Sequence, residues 1–255
     1  MHLCAHSSPR LAFDRDPVSA ASEWRRARKV ETQYATRLRQ IAKHISDIVS
    51  GMWDGDFAQA PLIEAALERY ANILEPWAVS VAQRMITEVD ARDKAAWRRV
   101  SAQMGRAIGR EIQSAPTGLV MQDLMAAQVT LIKSLPLEAA QRVHELAIEG
   151  ISNGSRGGEI SDMIARSGEV SRSRAVLIAR TETSRAHTTL TQARAEYVGS
   201  EGYIWRTAKD SDVRPSHKRL DGKFVRWDDP PECDPGYHAH AGAIFNCRCH
   251  CEPVL

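Results

Sequence analysis

From Ser22 to Gly199 the apolar residues return every three or four positions, and beyond Gly202 they alternate every second one. A repeat near 3.6 buries one stripe of a helix, whereas a repeat of two buries one face of a strand. A chain patterned in two such blocks does not interleave strands with helices. It predicts an α+β fold: a helical N-terminal body followed by a small, mostly antiparallel β module packed on a long helix.

The helical block divides at its breakers. Val30, Tyr34, Leu38, Ile41, Ile45, Ile48 and Met52 form the stripe of a first long helix. Its polar side carries Arg25, Arg26, Arg28, Lys29, Arg37, Arg39 and Lys43. That side reads either as a solvated face or as a surface for phosphate, non-specific DNA or an acidic partner. Trp53-Asp54-Gly55-Asp56 ends the helix, and Pro61 opens the next at a favoured first-turn position. Pro76 interrupts it, and the pattern continues from Trp77 to Ile112 before a loop at 111–118. Leu119–Leu135 and Pro136–Gly150 read as two helices, because proline removes a helical N–H. The glycines and serines of Ser152–Gly158 make a connector; no Gly-Lys-Ser/Thr follows, so it is not a phosphate loop. Helices at 159–167 and 171–199 complete the block. The reading therefore divides the chain into an irregular tail (1–20), a helical domain (21–150) and a C-terminal domain (151–255).

In the second block, Tyr203–Thr207 suits a strand. Asp221-Gly222 between strand-like runs signals a hairpin, and Ala243–Cys251 reads as a last strand. Four of the five cysteines, Cys233, Cys247, Cys249 and Cys251, crowd into this block with His217, His238, His240 and His250. Crowding at one end favours a local site over a disulfide framework, which would staple distant segments. In a strand, Cys247, Cys249 and Cys251 would share one face. Zinc takes four N or S ligands, so His217, Cys247 and Cys249 are candidates, with Cys233, His238, His240 or Cys251 as the fourth. The competing reading is a set of reduced core cysteines, since C-x-C lacks the C-x-x-C knuckle spacing. Asp210 or Asp212 would orient His217 through its second ring nitrogen; otherwise His217 is a hydrogen-bonded hairpin residue. Glu182 and Arg185, three apart on the long helix, are spaced to pair.

The net charge of +2, from 34 basic and 32 acidic residues, excludes a wholesale nucleic-acid coat. No apolar run approaches the roughly 20 residues of a membrane span. The first residues lack a signal-peptide pattern, which points to synthesis in the cytoplasm.

Taken in order, Ile178-Ala179-Arg180-Thr181-Glu182-Thr183, then Trp205, then Asp210-x-x-Val213-Arg214-x-x-His217-x-x-Leu220-Asp221-Gly222 and Asn246-Cys247-Arg248-Cys249 resemble the phage Mu F-like family. These are minor head, or head morphogenesis, proteins of tailed phages. The resemblance covers residues 110–255 and is loose before them. It implies a non-catalytic virion component, made in the host cytoplasm and incorporated at or near the portal vertex. The implied partners are the portal protein, scaffold or major capsid protein, with a role in genome delivery; non-specific contact with phage DNA is expected from the basic helix face instead, and no membrane partner is expected. It maps the family's metal-suspected positions onto His217, Cys247 and Cys249. Ala239-His240-Ala241-Gly242-Ala243 departs from the proline-containing segment many members carry there. A metal-dependent hydrolase or nuclease built from Glu182, Asp210, Asp212 and His217 is the alternative reading.

Overall fold

The structure is a computed structural model that describes residues 28–101, 114–152 and 157–254. Arg25 and Arg26, the tail, residues 102–113 and residues 153–156 of the connector lie outside the described residues. The elements in order are α1 (Arg28–Met52), a 3-10 turn (Phe57–Gln59), α2 (Ala60–Ile73), α3 (Glu75–Ser101), α4 (Gly118–Ser152), α5 (Gly157–Ala165) and α6 (Ser167–Tyr197). They continue with β1 (Gly202–Arg206), α7 (Pro215–Lys218), β2 (Phe224–Arg226), β3 (Glu232–Asp234), β4 (Tyr237–His238) and β5 (His250–Val254). The α+β expectation holds.

The chain forms two compact units. One, all helical, is built from Lys29–Met85 and Asp123–Arg180. The α1 stripe is buried from Val30 to Ile45, with Leu38, Ile41 and Ile45 fully buried, but its last turns bury Val49 in place of the expected Ile48 and Met52, which are half-buried. Asp56 caps the 3-10 turn, its carboxylate accepting the Ala58 N–H at 2.9 Å. The expected break at Pro136 does not occur: α4 runs through it as one helix of 35 residues. A proline inside a helix costs about 3 kcal/mol. Ile132, Leu135 and Val143 are buried around it on the same helix, and burial of each such side chain stabilises by roughly 1.5–3 kcal/mol. The packed stripe outweighs the missing hydrogen bond.

The other unit is built from Ile86–Gln122 and Thr181–Leu255. Its sheet is antiparallel in the order β2-β1-β5, with Tyr203 opposite both Val225 and Pro253. Pro253 is tolerated because β5 is an edge strand. Tyr203, Trp205, Trp227, Trp97, Cys233 and Cys251 share one apolar core. On the helical side of this unit, Arg194 of α6 is buried against the carboxylates of Asp90 and Asp93 of α3. Thr191 Oγ1 donates to the second Asp93 oxygen at 2.6 Å, and Lys94 reaches the second Asp90 oxygen at 2.9 Å. All four carboxylate oxygens thus have a partner.

Two strand expectations are corrected. Asp221-Gly222 does not turn a two-residue hairpin, because the run before it is α7, a single helical turn opened by Pro215. Instead Gly222 N–H donates to Trp205 O and Trp205 N–H to Lys223 O, which closes a long excursion from β1 onto β2. The last strand covers only His250–Val254; Ala241–Asn246 is a chain of turns. Ala243 N–H bonds to His240 O and Cys247 N–H to Ile244 O, bonds a ladder strand would not make.

Candidate metal centre

The two corrections build the site. The excursion after β1 presents His217, and the turns before β5 present Cys247 and Cys249. Asp221 holds the excursion's base, accepting the Thr207 N–H at 2.9 Å and the Lys209 ammonium at 2.9 Å. Although burial opposes it, these donors keep the Asp221 carboxyl below the usual carboxylate range. At the top, the ring of His217 stands edge-on to Trp205, 5.5 Å between centroids.

The second strand of the site hangs from α6. Thr188 Oγ1 donates to Ala241 O at 2.6 Å, Arg185 Nε to Ala243 O at 3.1 Å, and Asn246 N–H donates to Thr181 Oγ1 at 3.0 Å. Arg185 also pairs with the buried Glu182 at 2.8 Å, as the spacing predicts. Gly242 sits at φ +86°, and a Cβ there would lie 2.9 Å from Cys249 O, so only glycine fits. Asn246 takes φ +54°, a left-handed conformation that its short polar side chain tolerates. Beyond it, Cys247 and Cys249 point one way and Arg248 the other, to Asp210 at 2.8 Å and Asp212 at 3.0 Å.

The donors converge. Cys247 Sγ and Cys249 Sγ lie 3.5 and 3.4 Å from His217 Nδ1. Among the described residues these three form a group whose ligand atoms all fall within 4.8 Å, and all three are buried. Tetrahedral zinc bonds of 2.3 Å to sulfur and 2.0–2.1 Å to nitrogen would separate S and N by about 3.6 Å. The donor set and its spacing fit that ion. Cys247 accepts from the Cys249 thiol and N–H and from His217, which pulls its thiol far below the usual thiol range, while the same pairing and burial push Cys249 up. The donors face a cavity of about 50 Å³ that Asp212, Val213, Arg214, Asn246 and Arg248 also line. It is large enough for a water.

Among the described residues, none of the nominated fourth donors joins that group. Cys251 donates to Ala241 O from the core, and burial raises its thiol. Cys233 contacts Tyr237 O, His238 the Pro230 carbonyl and His240 the Tyr203 hydroxyl. All three thiols enter one buried core, but only Cys251 lies in a strand, which begins at His250, and only Cys247 and Cys249 reach His217. Asp210 and Asp212 do not orient His217, since both are held by Arg248. Asp234 lies behind the ring instead, its Oδ1 3.7 Å from Nε2, and is itself held by Ser216 at 2.8 Å and Arg214 at 3.3 Å. Asp234 had no local sequence signal beyond its neighbour Cys233. Thr181 and Thr188 did, as hydroxyls seven apart on an otherwise buried helix face. Arg214 braces the turn as well, donating to Phe245 O at 3.1 Å with its guanidinium 4.9 Å from the Phe245 ring centre. Arg180 does not join the site; within the helical unit it lies 3.7 Å from Glu31.

Residues 141–252 match the family described as Phage Mu protein F like protein, so the resemblance read from the motifs holds over that segment. An uncharacterized protein of Haemophilus influenzae (strain ATCC 51907 / DSM 11121 / KW20 / Rd) is 35% identical over 132 residues, 52% of this chain and 29% of that protein. The protein named minor head protein GP7 of Bacillus phage SPP1 is 25% identical over 158 residues, 57% of this chain and 51% of that one. The chain thus spans about half the length of one relative and under a third of the other. No solved structure matches.

Proposed function

We propose that this chain is a minor head protein of a tailed phage, acting in head assembly without catalysis. The observation that carries the reading is how its motif residues are used. Within residues 141–252, Thr181, Glu182, Arg185, Arg214 and Asp221 each brace the turns that hold His217, Cys247 and Cys249. The carboxylates a hydrolase would need are committed elsewhere: Glu182 to Arg185, Asp210 and Asp212 to Arg248. No helix among the described residues is long and apolar enough to cross a membrane.

In this reading the protein joins the head at or near the portal vertex, with the portal, scaffold or major capsid protein as partner, and stays in the virion to influence genome delivery. Zinc at His217, Cys247 and Cys249 would tie the β1 excursion to the turn hung from α6. Its chemistry there is structural: it would hold two thiolates and an imidazole whose other nitrogen faces Asp234. Cys247 and Cys249 supply the negative charge, and Asn246 and Gly242 set the turn.

The test is co-expression of the full chain with the head genes of its own phage, followed by mass spectrometry of purified heads. The chain is expected in the heads at a few copies. Heads that assemble normally and never contain it would overturn the reading. Elemental analysis of the purified chain should give one zinc per molecule, lost in Cys247→Ser/Cys249→Ser.

A further inference from the structure

The helical unit carries a cleft of about 440 Å³ between α1 and the start of α6, lined by Arg39, Lys43, Ser46, Gly168, Glu169 and Arg172. Its walls touch closely: a Cβ on Gly168 would fall 2.4 Å from the Ser46 Cβ, so glycine lets the first turn of α6 lie against α1. Arg172, one turn beyond Gly168, then stands across from Arg39 and Lys43. The three cations outnumber the one carboxylate. Among the described residues Arg39 bonds only to neutral acceptors, Ala35 O and Thr36 Oγ1, both at 3.3 Å. Arg172 is exposed and makes no ion pair among the described residues. Lys43 shares its charge with Asp47 at 2.8 Å.

The cleft also has a direction. At 100° per residue, Lys29, Thr32, Thr36, Arg39 and Lys43 fall on one flank of α1, while Arg37 lies about 200° from Arg39 on the other side. That flank extends over about 21 Å. A single small anion would use only one end of such a track. A duplex, with a charge every ~3.4 Å along each strand, would use its length.

We propose that this cleft and flank bind the phosphate backbone of duplex DNA, with Arg39 and Arg172 meeting phosphate oxygens through their paired N–H donors and Lys43 acting as a point charge. Binding reads charge rather than sequence, and Glu169 weakens it.

The experiment is fluorescence anisotropy of a labelled 20-base-pair duplex with the full chain at two salt concentrations. With two to three phosphates neutralised, affinity should fall roughly twentyfold between 50 and 200 mM salt. At 50 mM, Arg39→Ala and Arg172→Ala should each weaken binding three- to tenfold. Glu169→Gln should tighten it by two- to fivefold, a gain that misfolding cannot imitate. Lys218→Ala removes the same charge from an exposed site in the other unit and should change affinity less than twofold. A loss with Lys218→Ala equal to that with Arg172→Ala would overturn the proposal in favour of diffuse charge. So would absence of DNA binding, or tight binding of polyglutamate with the same residue dependence in its place.

Discussion

Two buried polar clusters of the mixed unit use similar ingredients in opposite ways. Around Arg194, the guanidinium, Thr191 and Lys94 occupy every oxygen of Asp90 and Asp93. Around His217, three donors converge and face a cavity. In the first cluster every carboxylate oxygen is met from within the protein, although the buried Arg194 Nε has no hydrogen-bond acceptor among the described residues. The second is braced on all sides yet leaves its strongest donors directed at one point. Burial of charge alone therefore does not mark a functional site; metal-ligating atoms that converge beside a cavity do.

The largest effect should come from opening the Arg194 cluster. Arg194→Leu leaves Asp93 wholly buried without its cation and should destabilise the protein by about 3–5 kcal/mol. Denaturant unfolding measures it, and a loss below 1 kcal/mol would mean that water reaches the cluster. The converse holds at the other cluster, where chelator should lower the melting temperature and added zinc restore it. Free zinc at about a thousand times its Kd stabilises by about 4 kcal/mol, so the response should depend on zinc concentration. Cys247→Ser/Cys249→Ser should abolish it and Arg194→Leu should not. If the two clusters exchanged these responses, the distinction between them would collapse.

Acid offers a third contrast. His187 is buried beside Asp93, Arg92 and Arg194, and burial holds its imidazole below the usual value. The unfolded chain takes up that proton near pH 6.5 while the folded chain resists, so stability is present above that pH and lost as pH falls below it. The slope contributed is at most about 1.4 kcal/mol per pH unit. Asp93, raised chiefly by burial, acts in the opposite sense from the carboxylate range upward. The difference between wild type and His187→Asn isolates the histidine; superimposable pH profiles would refute its part.

Smaller effects separate the cysteines. Cys251→Ala removes a buried sulfur from the apolar core and should cost about 1 kcal/mol without changing zinc content. A loss of zinc would return Cys251 to the ligand set. Arg185→Ala should cost about 1 kcal/mol, because it removes the bonds to buried Glu182 and to Ala243 O while its own side chain is 44% exposed. Unfolding curves resolve both.

The helices were legible wherever periodicity and a capping or breaking residue agreed, as at Asp56 and Pro61. Pro136 misled because local propensity is blind to the buried stripe that carries the helix through it. His217, Cys247 and Cys249 were legible as donor types in a recurring order. Their geometry was not. The alternation from Cys247 to Cys251 looks the same in a ladder strand and in an extended turn; only the φ of Asn246 and the bonds to Thr181 and Thr188 decide between them. Asp210 and Asp212 were chosen as partners of His217 for nearness in sequence, while Asp234, seventeen residues on, reaches it through β3.

The strand order β2-β1-β5 also sets a timetable. β1 and β2 close their pairing around the excursion that holds His217, but Cys247 and Cys249 follow 30 and 32 residues later, just before β5. During synthesis at about 5–20 residues per second, the histidine is exposed for seconds before its sulfur partners arrive. The three donors meet only when the last edge strand docks on β1. Metal capture, followed in time, would report completion of the sheet rather than its start.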